Sequence, residues 1–423
     1  MTAIAPTKLN RQQILGFWAA WSGWTLDGMD SVIYALVLSP ALKELLPQSG
    51  MANGPADIAF AGSILFALFL MGWGLSFLWG PIADRFGRTK CLAASILIFS
   101  GFTGAAALSQ NVWELALFRF LAGIGIGGEW AMAGTYVAEA WPEDRRKQGA
   151  GYLQTGYYAG FFLAAALNFT IGATYGWRAM FLCGGVPVLV ALFTLTRVKE
   201  PARWEKLRGH SAAAPFSMIF SPRYLTRTIV NTALVSIAIV GLWAGTVYEP
   251  TALLGLAKTA GLSAANGTKL VSLGTAILSI GTIIGCLLAP VLAERYGRKK
   301  ILAVYFAGMA LSIALAFGWA LGLADGLKPF LVILFFLGLA GGNFAIYSLW
   351  LPEQYPTEMR ATAFAFCTSF GRFIGAGANF AIAAMIAATG ALGPVIALTA
   401  IPFVLGLFVI PFALETRGQK LPS

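Results

Sequence analysis

The sequence predicts an all-α membrane protein with twelve transmembrane helices in two pseudo-symmetric six-helix bundles. Three observations carry that expectation. Hydrophobic residues make up 58% of the 423-residue chain and charged residues only 11%. An average soluble protein carries about 25% charged residues, so there is too little charge here to cover a wetted surface. Apolar stretches of roughly 20 residues, each long enough to span a bilayer core, recur along the chain. The chain also repeats itself. Asp84-Arg85-Phe86-Gly87-Arg88 returns as Glu294-Arg295-Tyr296-Gly297-Arg298 at an offset of 210, and Glu139-x-x-Pro142-x-Asp144-x-Arg146 returns as Glu353-x-x-Pro356-x-Glu358-x-Arg360 at an offset of 214. Both clusters are charged and lie between apolar stretches, so one membrane unit is written twice.

The apolar segments fall at 14–38, 58–79, 91–109, 113–138, 149–173, 177–197, 226–250, 268–292, 301–321, 330–351, 361–388 and 392–414. The first is too long for the apolar region of a signal peptide and no cleavage site follows it, so it is expected to stay in the protein. Segments one to six give a first bundle over 1–197, and segments seven to twelve a second over 226–423. Residues 198–225, with Pro201, Pro215, Pro222 and many charges, read as the linker between them. The 49 glycines suit membrane helices, because small residues let such helices approach closely. Cys91, Cys183, Cys286 and Cys367 each sit in a different segment, with no CxxC pair, and read as packing residues. The single His210, in a polar loop, has no neighbours with which to hold a metal.

A net charge of +11 invites a nucleic-acid reading, but its distribution argues otherwise. With both termini on one side, 22 of the 29 basic residues fall in the loops of that side, and only Lys43, Arg178, Lys258, Lys269 and Lys328 on the other. The positive-inside bias then places both termini in the cytoplasm. Topology accounts for the charge, and no nucleic-acid partner is expected.

Gly80-x-x-x-Asp84-Arg85-x-Gly87-Arg88, between segments two and three, resembles the cytoplasmic signature of the major facilitator superfamily. Arg119-x-x-x-Gly123-x-Gly125-x-Gly127 in segment four resembles its second signature. Within that superfamily, Asp27-Gly28-Met29-Asp30 looks like the DGxD motif of aromatic-acid:proton symporters. Gly127-Gly128-Glu129-Trp130, followed by Tyr136-Val137-x-Glu139-x-Trp141-Pro142, is similar to the sialate and related organic-acid symporters. The Gly-Pro signature that drug:proton antiporters carry in segment five is absent.

For the repeated charged loops, topology and a tight turn at Gly87 and Gly297 are one account. The resemblance implies a second, a gate latch. Asp84 would pair with arginines and with the positive end of a neighbouring helix, and Gly80, Arg85, Arg88, Glu294, Arg295 and Arg298 belong to the same device. Glu139 and Arg146, with Glu353 and Arg360, would form matching latches in the other repeated loops. The literal GxGxxG at Gly123–Gly128 fails as a dinucleotide fingerprint, since no strand precedes it and it lies inside an apolar helix; close helix packing is the better reading.

Ionisable residues inside a bilayer are costly and usually functional. Five are counted here: Asp27, Asp30, Arg119, Glu129 and Arg372. Asp27 and Asp30 are three apart and share a helix face. At a rise of about 1.5 Å per residue, Asp30 lies roughly 24 Å from the inner edge and Arg119 roughly 28 Å, close enough in depth to pair. Asp27 and Glu129 lie at roughly 20 Å and 14 Å on the same scale. In proton-coupled sugar symporters of the superfamily the acid matching Asp30 carries the proton and the arginine matching Arg119 is its partner; a static structural pair is the alternative. Which of Asp27 and Asp30 takes the proton stays open. Arg372 lies at roughly 16 Å, near the midplane, where transporter substrate sites form between the halves. A guanidinium takes a carboxylate bidentately, so Arg372 reads as a substrate clamp, with Asp27 or Glu129 as alternative ion-pair partners. Trp24, Tyr34, Tyr157, Tyr158, Trp243 and Tyr347 are candidate cavity walls, and Asn343 and Asn379 are polar residues expected to face inward.

The sequence-level conclusion is a secondary transporter, not an enzyme, working as a monomer by alternating access in the bacterial inner membrane. It would take up a small organic carboxylate with protons as the coupling ion and no other cofactor. The carboxylate class (aromatic acid, sialate or a similar monocarboxylate) is left open. The alternatives are a proton-coupled exporter or antiporter of organic anions or drugs, and a sugar-type symporter.

Overall fold

A computed structural model describes residues 7–208 and 216–422; side chains at 55, 56, 59, 63, 173, 207, 208, 242–247, 264, 265, 268, 383 and 387 are outside the described set. His210 and the side chain of Trp243 therefore lie outside the described residues. In hydrocarbon every backbone N–H and C=O must be paired within the chain. The described residues answer with helices and no strands.

The spans follow in order. The first is α1 (Arg11–Gln48), the second α2 (Pro55–Leu75) continued by α3 (Trp79–Phe86), then α4 (Arg88–Ala106), α5 (Val112–Ala140) and α6 (Arg146–Leu167). The sixth is broken into α7 (Ala173–Cys183) and α8 (Val188–Arg197), with Pro187 at the N-cap of the second piece. A short α9 (Ala202–Arg208) lies in the connection to the second half. That half comprises α10 (Leu225–Thr259), α11 (Ala264–Tyr296), α12 (Arg298–Ile313), α13 (Leu327–Gly341) with α14 (Phe344–Trp350), α15 (Arg360–Thr389), and α16 (Leu392–Ala397) with α17 (Ala400–Val409). These are the twelve spans of two pseudo-symmetric six-helix bundles.

Nine of the helical runs are long and apolar enough, among the described residues, to cross a membrane on those grounds alone. The other three spans are α1, α6 and α10. The first two are the most polar: α1 carries Asp27 and Asp30, and α6 carries Gln154, Tyr157 and Tyr158. They pack on each other through glycine, Gly28 against the carbonyl of Tyr157 and Gly160 against the carbonyl of Thr25. α10 runs nine residues beyond the sequence-based end at 250, to Thr259. Large apolar side chains such as Phe60, Trp113, Phe169 and Phe412 point outward, as a lipid-facing surface requires.

The turns between α3 and α4 and between α11 and α12 are built alike. Gly87 has φ 115° and Gly297 φ 105°, a region where a side chain is strained, so glycine is required at both. Thr7 donates its backbone N–H to Asp144 at 2.8 Å, and Leu421 donates its own to Glu143 at 3.4 Å. Both described ends of the chain thus meet the loop after α5 on one face, hereafter the terminal face.

Candidate functional site

The repeated charged loops converge on the terminal face. Arg88 donates from Nε and Nη2 to Glu139 at 3.0 and 3.1 Å, and from Nη1 to the carbonyl of Ala83. Arg298 repeats this in the second half, donating to Glu353 at 3.0 and 2.9 Å and to the carbonyl of Ala293. Each glutamate then takes a second arginine from across the seam. Arg360 meets Glu139 at 2.8 Å and Arg146 meets Glu353 at 2.9 Å. The sequence reading grouped Glu139 with Arg146 and Glu353 with Arg360; the bridges are crossed between the halves instead. The exchange is possible because each loop presents both charges at the same spacing, so either half complements the other.

Asp84 reaches across the same seam. Its carboxylate accepts the backbone N–H groups of Ala361 and Thr362 at 3.3 and 2.8 Å and the Thr362 hydroxyl at 2.6 Å. Those N–H groups are in the first turn of α15, which have no intrahelical acceptor. Gly80 permits the approach: a Cβ there would sit 2.5 Å from the Thr362 Cα and 2.8 Å from the Ala361 carbonyl oxygen. Arg88 bonds Asp84 as well, at 2.9 Å. The second half lacks the equivalent reach. Among the described residues Glu294 bonds only its own Arg298, at 2.8 Å, and is partly exposed. Arg85 and Arg295 were grouped with the gate, but both are exposed and lie over Phe86 and Tyr296, each 5.3 Å from the ring centre. Each follows its paired carboxylate, Asp84 or Glu294, by one position and points away from it, as adjacent helical positions do.

Two capping carboxylates are not among the residues predicted from the sequence. Glu200 accepts the backbone N–H groups of Thr89 and Lys90 at 3.1 and 3.2 Å, and Glu415 accepts those of Arg298 and Lys299 at 3.0 and 3.1 Å. Each carboxylate caps the helix that opens after the strained glycine, where an anion suits the helix dipole. Burial pushes the Glu200 carboxyl above its usual range, against those N–H bonds. The pair recurs at an offset of 215, but its flanking residues do not match, so only the spacing could have revealed it.

Deeper in the seam the ionisable residues gather on α1, α5 and α15. Asp30 and Arg119 pair at 3.2 Å, both fully buried, with Arg119 also 3.4 Å from the Thr103 hydroxyl and stacked on Tyr34 at 4.4 Å and Phe69 at 4.6 Å. Tyr34 is a wall of that pair. Glu129 lies against Gly23 of α1, one helical turn from Asp27. Asp27 and Glu129 are wholly buried, and none of their four carboxylate oxygens has a hydrogen-bond partner among the described residues. Arg372 is buried too. Its guanidinium lies 4.2 Å from the ring centre of Trp73 and 5.7 Å from that of Trp130, and donates to the carbonyl of Thr368 on its own helix. Among the described residues it makes no ion pair. Among the described residues, two carboxylates without hydrogen-bond partners and one guanidinium without an ion pair thus lie in the same buried region.

The aromatic candidates divide. Trp24 stacks on Trp130 at 5.8 Å and lies 4.8 Å from Tyr157, and its indole N–H is free of partners among the described residues. Tyr158 packs edge-on against Tyr157 at 5.7 Å. Tyr347 is committed elsewhere, donating to the Leu234 carbonyl at 2.9 Å inside the second half. Asn343 donates to the Ala340 carbonyl, while its side-chain oxygen and the amide nitrogen of Asn379 have no partner among the described residues. A sixth intramembrane ionisable residue joins the five counted from sequence. Glu249 is 1% exposed and accepts from the Thr275 hydroxyl at 3.2 Å. It lies inside the apolar segment 226–250, one residue from its end, and α10 continues nine residues beyond that end.

Comparison with known proteins places this architecture. The family model for the Major Facilitator Superfamily matches residues 20–378. A protein of Cupriavidus pinatubonensis named "Probable 4-methylmuconolactone transporter" is 29% identical, over 97% of this chain and 93% of its own. The niacin transporter NiaP of Acinetobacter baylyi is 26% identical, over 96% of this chain and 95% of its own. Among solved structures, the proton:xylose symporter XylE superposes with a TM-score of 0.80 at 20% identity, covering 97% of this chain and 98% of that one, a likeness of fold. Two repeated six-helix bundles, crossed ion pairs on one face and a buried polar centre between them thus agree with a family match over most of the chain: this protein belongs to the major facilitator superfamily and is a membrane transporter, not an enzyme.

Proposed function

We propose that this transporter takes up a small organic carboxylate by proton symport, with the terminal face in the cytoplasm of a bacterial cell and the protein in the inner membrane. The observation that carries the reading is Arg372. A buried guanidinium held only by two aromatic faces and a helix carbonyl is poorly compensated. A carboxylate would supply the planar bidentate partner it lacks. Relatives across nearly the whole chain carry names of organic-acid transporters, which supports the substrate class. The proton sites are Asp27, Asp30 and Glu129. Two bare carboxylates near one another resist being charged together, so proton occupancy of Asp27 and Glu129 tracks what else enters the site. Arg119 governs Asp30 in the same way, through a bond that a helix shift would lengthen. The cytoplasmic clusters then act as the latch that closes one side while the other is accessible.

Uptake into proteoliposomes tests this directly. With an imposed inward proton gradient, radiolabelled 4-hydroxybenzoate, nicotinate and N-acetylneuraminate are offered in turn. At least one is expected to accumulate above its external concentration, with collapse on adding a protonophore. Accumulation indifferent to the gradient, or gradient-driven loss of preloaded substrate, would overturn the symport reading.

A further inference from the structure

Trp130 lies in the Gly-Gly-Glu-Trp stretch, beside Glu129, and has no role in the scheme above, yet it touches both the substrate region and the seam. Its ring is 2% exposed. On one side it stacks on Trp24 of the first half, 5.8 Å away and 17° from parallel. On the other it meets Phe344 and Phe364 of the second half, each at 5.7 Å. The guanidinium of Arg372 lies over the same ring. Its indole N–H, which can only donate, donates to the Ser348 hydroxyl on α14 at 2.9 Å, and that hydroxyl sits 3.3 Å from the side-chain oxygen of Gln154 on α6. The hydrogen-bond chain leaves the first half, enters the second and returns to the first. All three residues are buried. Separation of the halves on the terminal face must break both bonds at once and orphan polar atoms in a site of low dielectric.

We propose that Trp130 is a positioning residue that ties occupancy of Arg372 to closure of the terminal face. While Arg372 rests over the indole ring, the N–H stays aimed at Ser348 and the halves stay joined. When a carboxylate draws the guanidinium off the ring, the indole is released to tilt and the Trp130–Ser348–Gln154 chain opens. The inference rests on the alternating-access reading above, and its first test needs no substrate.

Ala365 packs on Gly80 across the seam and is fully buried. In a protein whose four native cysteines are replaced by alanine, Ala365→Cys gives a thiol that N-ethylmaleimide reaches only when the terminal face parts. Trp130→Phe keeps a ring and removes the donor; Ser348→Ala removes the acceptor and is mild enough to fold. Each is expected to raise the alkylation rate at position 365 roughly 5-fold, the worth of about one net hydrogen bond. The double variant should go no further than Ser348→Ala alone, because that variant already removes the bond that Trp130→Phe breaks. Unchanged alkylation in both single variants, or a multiplied effect in the double, overturns the proposal. A second arm adds nicotinate and 4-hydroxybenzoate. In the parent, whichever binds by calorimetry should alter alkylation, and in Trp130→Phe that response should vanish while the acid still binds. If affinity falls by more than about 10-fold and alkylation is unmoved, Trp130 is a wall of the substrate site and not its link to the gate. If neither acid binds the parent, the substrate assignment fails while the first arm still decides the Trp130–Ser348 bond.

Discussion

Asp84 holds Thr362 by both its backbone N–H, at 2.8 Å, and its hydroxyl, at 2.6 Å, so one carboxylate of the first half caps the opening turn of α15 in the second. An amide in its place would keep one acceptor oxygen but lose the charge that suits the helix start, and would turn two donors toward the N–H groups. Asp84→Asn is expected to weaken closure by about 1–2 kcal/mol, roughly 5- to 30-fold in the closed-to-open ratio. The measurement is alkylation of the same buried seam thiol, together with transport. Unchanged accessibility and unchanged transport would leave the loop as a topological feature only.

The crossed pairs make a separate prediction. Glu139 is shared by Arg88 and Arg360, and Glu353 by Arg298 and Arg146. Removing Arg360 or Arg146 leaves each glutamate one of its two arginines, so each single variant should cost less than the about 3–5 kcal/mol of a fully orphaned buried charge. Arg360→Ala and Arg146→Ala should each open the terminal face and lower transport. Because the two bridges belong to one closure, the double variant should cost less than the sum of the singles. Full additivity would show two independent surface contacts instead of a common latch.

Much of this organisation is legible in the sequence because membranes write large signals. Twelve apolar segments locate twelve spans, since a bilayer imposes a length that few other environments do. The offset copies locate the charged loops that meet on the terminal face, since charge between apolar stretches has one place to go. Depth arithmetic brings Asp30 to Arg119, and they meet at 3.2 Å. What stays hidden is partner choice. Nothing in the spacing tells Glu139 to take Arg360 in preference to Arg146, because both arginines follow a glutamate by the same interval. Nor does type tell Tyr347, which serves a backbone carbonyl, from Trp24, which serves none. Glu249 lies within segment 226–250 but one residue from its end, where hydropathy alone does not tell a residue in the span from one at its mouth.

Asp30→Asn tests coupling. The substitution leaves Arg119 buried against Tyr34 and Phe69 without its carboxylate, so stability is expected to fall by about 3–5 kcal/mol. A companion variant, Asp30→Asn with Arg119→Gln, removes both charges and should recover most of that loss. Both variants should fail to accumulate substrate under a proton gradient while still exchanging labelled for unlabelled substrate. Gradient-driven accumulation by the companion variant at the parent level would refute Asp30 as the proton site, and Asp27→Asn would become the decisive variant.

The final prediction concerns Arg372, whose guanidinium lies over Trp73 and Trp130 and makes no ion pair among the described residues. If a substrate carboxylate completes it, the pairing must be geometric as well as electrostatic. Lysine keeps the charge but not the planar fork. Arg372→Lys should therefore weaken binding by about 10-fold, one lost charge-assisted bond. Arg372→Ala removes the anion's partner altogether and should cost about 100-fold or more. Calorimetry on purified protein gives both numbers, with nicotinate and its amide, nicotinamide, as the pair of ligands. The parent should prefer the acid strongly, and Arg372→Ala should barely distinguish the two. A lost preference with retained amide binding would isolate the carboxylate contact from any general damage to the site. If Arg372→Ala binds the acid as the parent does, the guanidinium is instead a counter-charge for Asp27 and Glu129. In that case its loss should alter the pH dependence of transport and leave affinity alone.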